Sequence, residues 1–286
     1  MSLEGFATIV VGTSPNIGAG IAVALGRAGA AVICVDRDPS YAEGCAAELA
    51  GLGCASVGRV LDATDADAVQ RCIEQLPAEL GPVRGLVNAA VRYDERGLLD
   101  MPPDSWREQL DVVLTSAFLF TKFTALRMIA AGGGGSIVNV ASTAAHQGQP
   151  GNICYSTAKA GLLNFTRAAA MDLAPYGIRV NSLTPTSTDT SEARERAAAW
   201  GVPAERFEPN ARAAERRALL PLGFAPAPSD YGDAVAFLIS PAARAITGCD
   251  LRVDAGAVAK HWTAGPATPG RTSPDRARQT SEEDEP

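Results

Sequence analysis

The chain has 286 residues, 47% of them apolar and only 6% aromatic, with 25 Lys and Arg against 32 Asp and Glu for a net charge of −7. At this length about three quarters of the unfolded surface can be buried without disulfide or metal staples, and the acidic balance argues against a nucleic-acid partner. No apolar run reaches the ~20 residues of a membrane span, and MSLEGFATIVVG lacks a basic region before its apolar stretch, which argues against a signal peptide.

In chain order, a strand is expected over Ala7–Val11 and a helix over Ile17–Ala28, then a strand over Ala31–Val35 and a helix over Tyr41–Leu52. The same alternation continues with Ser56–Leu61 and Asp65–Leu80, Val83–Val87 and Asp104–Ala131, and Ser136–Val140 and Ile153–Ala174. It closes on Arg179–Leu183, the helix Ser229–Ile239 and the strand Asp250–Val253. Most of the short runs are rich in Val and Ile, as strands buried on both faces of a parallel sheet are. Strand–helix alternation with right-handed crossovers gives an α/β, Rossmann-like doubly wound sheet, read as one domain over residues 1–258. Residues 185–228 break the rhythm and read as a substrate lid. Residues 259–286 are polar, Pro-rich and charged and read as a tail, with His261 and Trp262 in it. The cysteines Cys34, Cys45, Cys54, Cys72, Cys154 and Cys249 form no CxxC pair, which fits reduced thiols in a cytoplasmic protein.

Ligands of such sheets sit beyond the carboxyl ends of the strands, so the residues just after each strand carry the chemistry. After the first strand comes GTSPNIGAG, with Gly12, Asn16, Ile17 and Gly18 at a strand-to-helix junction. Glycine there permits a tight turn and lets backbone N–H groups approach a pyrophosphate at the helix N-terminus. Asp36 closes the second strand, where a carboxylate accepts from adenosine ribose hydroxyls and repels a 2′-phosphate. Arg37 follows and would welcome that phosphate; Asp36 comes first and Pro15–Asn16 brings no basic residue, so NAD is favoured over NADP. Asp62, after the third strand, reads either as a partner of the adenine amino group or as a turn aspartate. At the other end of the cleft, Tyr155 and Lys159 lie four apart on one helix face, with Ser142 after the strand SIVNV. A cation beside a phenol is expected to lower its pKa from ~10 toward working pH, as acid–base catalysis requires.

GTSPNIG, Asp36, Asp62, the VNAA that holds Asn88, Ser142, YSTAK, the NSLTP that holds Asn181, and ITGCDLRVDAG together resemble the short-chain dehydrogenase/reductase family over residues 5 to 257. The resemblance implies NAD(P)-dependent interconversion of an alcohol and a ketone. Tyr155 would be proton donor and acceptor, Ser142 would hold the substrate oxygen, and Lys159 would bind the nicotinamide ribose while activating Tyr155. It also implies that Asn88 and Ala89 wall the cofactor, that Ile17, Pro185 and Thr188 lie beside it, and that Thr190 bonds the nicotinamide carboxamide. Members are commonly homotetramers, a dimer being the lesser assembly expected.

Four positions depart from the family pattern: Asn16 stands for the middle glycine of the phosphate turn, NAAV over 88–91 for NNAG, Pro185–Thr186 for PG, and Val113 for a catalytic asparagine. Asparagine tolerates the left-handed region best after glycine, so the turn should survive. The missing asparagine helps hold a relay water at Lys159, a duty left to Thr115, Asp111 or ordered water. These departures keep a rival reading open, a catalytically impaired nucleotide-binding regulatory or scaffold protein. An enoyl reductase, whose Tyr and Lys are usually seven apart, ranks last.

His146, Gln147, Gln149 and Asn152 read as an exposed loop or as groups that orient a polar substrate, Arg92 and Tyr93 as surface, and Cys154 as a packed thiol. No His, Asp or Glu cluster has metal-ligand spacing. Trp200, Phe207, Leu219, Leu220 and Phe224 among arginines fit a medium-sized, partly apolar small molecule.

Overall fold

The computed structural model describes residues 2–209 and 213–260. Seven strands, β1 Ala7–Val11, β2 Ala31–Asp36, β3 Ser56–Val60, β4 Val83–Asn88, β5 Gly135–Val140, β6 Ile178–Pro185 and β7 Asp250–Val253, form one parallel sheet in the order β3-β2-β1-β4-β5-β6-β7. The order reverses between β1 and β4, which opens the switch-point crevice at their carboxyl ends. Nine helices, α1 Ile17–Arg27, α2 Pro39–Gly51, α3 Ala66–Glu74, α4 Pro103–Leu110, α5 Ser116–Ala131, α6 Ile153–Leu173, α7 Ser191–Ala199, α8 Ala213–Ala218 and α9 Pro228–Ile239, are assigned among the described residues.

Alternate residues of one strand serve opposite cores, as the period of two requires. Val10 of β1 joins Ile21, Leu49, Tyr231 and Val235 on the face carrying α1, α2 and α9, whereas Ile9 and Val11 join Val69, Phe120, Met128 and Ala170 under α3, α5 and α6. Burying a side chain of this size contributes roughly 1.5–3 kcal/mol.

Two stretches differ from the sequence expectation, and the excursion holds the helical stretch expected of it. The helix expected over Asp65–Leu80 begins after Asp65, whose carboxylate caps Asp67 and Ala68, and ends at Glu74; a separate single turn spans Ala78–Leu80. Pro77 accounts for the break, because a residue preceding proline avoids the helical region. The helix expected over Asp104–Ala131 is continuous but interrupted by one π-helical turn, Asp111–Thr115. Excursion 185–228 contains α7, a turn at Ala204–Phe207 and α8. The stretch Pro103–Ala131 is the one helix among the described residues long and apolar enough to cross a membrane by length and composition, and half of its most apolar window is buried inside the molecule. The tail from 261, with His261 and Trp262, lies outside the described residues.

Candidate active site

The phosphate turn is shaped by two glycines. Gly12 has φ +87°, and a Cβ there would lie 2.7 Å from backbone atoms of Ala89 and Ala90; a Cβ on Gly18 would collide with the Gly12 carbonyl. Only a bare backbone fits this junction, and it leaves the start of α1 open to an anion. Asn16 sits just ahead of α1 at φ −85°, so the left-handed conformation expected of it is not used. Its carboxamide gives α1 no cap bond, and its buried side-chain oxygen has no partner among the described residues.

Beyond the turn, a cleft of about 270 Å³ is lined by Gly12, Asp36, Arg37, Asp62 and Ala89. One carboxylate oxygen of Asp36 accepts from the Thr13 amide at 2.9 Å and the other from Asp38 at 3.1 Å. Burial raises its pKa, and the backbone amides of Asp38, Thr13 and Arg37 oppose the rise. Asp62 accepts from the Thr64 amide and hydroxyl, which lower its pKa, so it is a turn aspartate that also borders the cleft. Gly-rich cradle, open helix start and strand-end carboxylate fit a dinucleotide. Two cleft residues escaped the sequence reading: Tyr41, and Arg206 from the excursion, whose guanidinium reaches the Tyr41 hydroxyl at 3.5 Å. Helix α7 is likewise tied to the nucleotide end, through Arg196 to Glu48 and the Pro15 carbonyl.

The chemical residues meet where β5 ends. Ser142 leaves β5 and its hydroxyl accepts from Ala144 at 3.2 Å while facing the Tyr155 phenol. Lys159 is buried and donates to the Val140 carbonyl at 2.6 Å, its ammonium 5.7 Å from the Tyr155 ring centroid. The expected lowering of the Tyr155 pKa is not what this state holds: burial raises it, with Ser142 pulling the other way. Burial acts on Lys159 as well, disfavouring its charge and bringing its pKa down to about 7.

That depression makes a stability prediction. Between pH 7 and 10.5 the unfolded chain holds the Lys159 proton more fully than the folded one, so stability attributable to this residue rises with pH across that window. The burial cost is complete below pH 7 and gone above 10.5; its full span is on the order of 5 kcal/mol. Urea midpoints at pH 7, 8.5 and 10 should climb for the parent relative to Lys159→Met, and parallel trends would contradict the assignment.

Asn88 faces the interior, donating to Thr121 and Asn139, which donates in turn to Thr166; Ala89 is the one that borders the cleft. Pro185, Thr188 and Thr190 follow one another off β6, the Thr188 hydroxyl bonding the Thr186 carbonyl and the Tyr231 phenol. His146 turns to Thr184 and to Asp250, which also accepts from Ser182, so this loop is fastened to the β6–β7 edge. Cys154 is a packed thiol held by the Trp106 carbonyl. Tyr93 is half exposed, as expected of a surface residue, and its other side stands edge-on to Tyr155 with centroids 5.0 Å apart while its hydroxyl accepts from Asn152. Sequence spacing held no signal for that contact, because Tyr93 lies on a loop that only the fold brings over α6.

Val113 is buried among Ala117, Ala158 and Leu162. Thr115 donates to Asp111 on the outer side of the helix, so the two side chains offered as substitutes for the family asparagine are engaged with each other.

A nucleotide cradle at the switch point, opening toward a Ser–Tyr–Lys set, defines an oxidoreductase of the dinucleotide-binding α/β class. The family model described as "Enoyl-(Acyl carrier protein) reductase" matches residues 12–258. The chain is 36% identical over 257 residues to cis-4-hydroxycyclohexanecarboxylate dehydrogenase of Sinomonas cyclohexanicum, covering 88% of this chain and 98% of that one. It is 34% identical to the 3-oxoacyl-[acyl-carrier-protein] reductase FabG of Pseudomonas aeruginosa, over 90% of this chain and 98% of that. Among solved structures, a putative NAD(P)-dependent gluconate 5-dehydrogenase from Beutenbergia cavernae with bound NADP superposes with TM-score 0.79 at 32% identity, covering 91% and 99% of the two chains. The chain belongs to the short-chain dehydrogenase/reductase family, whose members use a nicotinamide cofactor.

Proposed function

We propose that the protein is an NAD-preferring dehydrogenase/reductase that interconverts a secondary alcohol and a ketone on a small molecule. The observation that carries the reading is the convergence of Ser142, Tyr155 and Lys159 beside the cradle of Gly12 and Gly18. The dinucleotide, when bound, supplies the hydride exchange. Tyr155 gives its phenolic proton to the substrate oxygen in reduction and takes it back in oxidation. Ser142 holds that oxygen, and Lys159 restores the phenol proton and bonds the nicotinamide ribose. Gly12, Asn16, Ile17 and Gly18 receive the pyrophosphate, Asp36 the adenosine ribose and Asp62 the adenine side, with Ala89, Pro185, Thr188 and Thr190 around the remainder.

The substrate is a hydroxylated molecule with an apolar face, on the strength of Tyr93 beside Tyr155 and of Leu219, Leu222 and Phe224, which the excursion leaves exposed. The relatives named above act on a hydroxycyclohexane acid and on 3-oxoacyl groups. The outer faces of α5 and α6 expose Phe118, Leu126 and Met171, which supports a homo-oligomer assembled on those helices.

Fluorescence titration with NADH and NADPH tests the cofactor half. Tight NADH and weak NADPH binding are expected, and Asp36→Ala should move the preference toward NADPH by about tenfold, the order of one lost charge–phosphate repulsion. An unchanged ratio removes Asp36 from that role. Binding of neither nucleotide would favour the scaffold reading.

A further inference from the structure

His146, four residues after Ser142, makes a set of contacts that the proposed chemistry does not use. Its Nε2 lies 3.2 Å from a carboxylate oxygen of Asp250 and 3.1 Å from the Thr184 hydroxyl. Ser182 and Thr184 sit two apart on β6, hence on one face, and both hydroxyls donate to Asp250, at 2.6 and 2.9 Å. A carboxylate only accepts, and the one proton of Thr184 is spent on it, so Nε2 must carry the hydrogen that both groups share. That holds for the neutral and the charged ring alike. Thr184 is fully buried and the His146 side chain is 20% exposed, so the contact is largely shielded from water.

The contact gains its meaning from the place of His146 in the chain. Ala141 still donates to the Leu183 carbonyl of β6 at 2.7 Å, and Ser142 then leaves the sheet for the single turn Thr143–Ala145. The bonds of that turn are internal: Ala145 to the Ser142 carbonyl, His146 to the Thr143 carbonyl, and Ala144 to the Ser142 hydroxyl. They shape the turn without orienting it against the sheet, and one turn is too short to hold itself. Beyond it, residues 147–151 are exposed, and a Cβ on Gly148 or Gly151 would meet nothing within 4 Å. The His146 side chain therefore fastens the far end of the turn just before the chain opens, with the buried Ala144 adding one methyl. Ser142 depends on that orientation, because its hydroxyl caps Ala144 and also meets the Tyr155 phenol.

We infer that His146 is the positioning residue of Ser142: its Nε2–H, held by Asp250 and Thr184, fixes the turn that presents the serine hydroxyl to Tyr155. This deepens the proposed oxidoreductase reading and rests on it.

The test pairs His146→Leu, which deletes the donor, with His146→Gln, whose terminal N–H reaches the place of Nε2. Rates are measured on the best alcohol or ketone of a panel, with NADH affinity and melting temperature in parallel. His146→Leu should lower kcat by about tenfold or more, since a displacement of about 1 Å at a reacting group can cost on the order of 10²-fold. NADH affinity should stay within about twofold, and His146→Gln should return kcat to within about threefold of the parent. A residue that acts through Ser142 has nothing left to act on once that hydroxyl is gone, so in a Ser142→Ala background His146→Leu should cost less than about twofold. An undiminished loss in that background would overturn the inference, as would a parent kcat in His146→Leu, whether or not its melting temperature falls. A Gln variant as slow as the Leu variant would overturn it too, by assigning the loss to the ring and not to its N–H. If His146→Leu fails to fold, His146→Asn decides, because its amide ends short of Asp250: a parent kcat there counts against the inference, and a lowered kcat that vanishes as a difference in Ser142→Ala supports it. An active parent with an inactive Tyr155→Phe keeps the oxidoreductase reading standing whatever His146 does; a parent that turns over no alcohol or ketone fells both.

Discussion

Tyr155→Phe is expected to cut turnover of an alcohol or ketone by about 10²–10⁴-fold, the range a positioned general acid–base contributes, while NADH affinity stays nearly constant. The substitution deletes one oxygen and keeps the ring, so the edge-on packing against Tyr93 survives. What disappears is the proposed proton carrier, the hydroxyl that Ser142 faces and that lies next to Lys159. Burial holds the phenol in its protonated form at neutral pH, the form that the proposed reduction requires. Steady-state rates across a panel of alcohols and ketones, with NADH fluorescence in parallel, separate chemistry from binding. A variant that keeps its rate ends the assignment of Tyr155, and one that loses NADH affinity as well would show the phenol to be a cofactor anchor.

How far the sequence carried depends on whether a feature is written along the chain or across it. The strands were legible because each is a short Val- and Ile-rich run, and β1 and β7 fall on the residues expected. Gly12, Asp36, Ser142, Tyr155 and Lys159 were legible because they follow strand ends or share one helix face, and the fold gathers them along the carboxyl edge of one sheet. Contacts between distant segments were not. Arg206 comes to the Tyr41 hydroxyl from 165 residues away, and nothing in its local sequence separates it from other exposed arginines. The π-helical turn at Asp111–Thr115 leaves no periodic trace in so apolar a stretch. The protonation bias of Tyr155 and Lys159 also escaped: spacing predicted the pair, whereas burial decides which forms they take.

Gly18→Ala should abolish measurable dinucleotide binding, a loss of at least about 10²-fold once the pyrophosphate contacts at the helix start go. The added methyl would run into the Gly12 carbonyl, and Gly12 has nowhere to retreat. It already occupies a left-handed backbone conformation, and Ala89 and Ala90 stand directly behind it, 2.7 Å from where its own Cβ would be. The strain must therefore be relieved by moving the start of α1, which carries the amides proposed to receive the pyrophosphate. Gly51→Ala is the matched control, because a Cβ there meets nothing within 4 Å at the far end of α2. The control should bind NADH as the parent does and melt no lower. If Gly18→Ala still binds, the turn is softer than its contacts imply and the cradle is not what selects the nucleotide. If both variants lose binding together, general destabilisation is the cause, and melting curves on the two will say so directly.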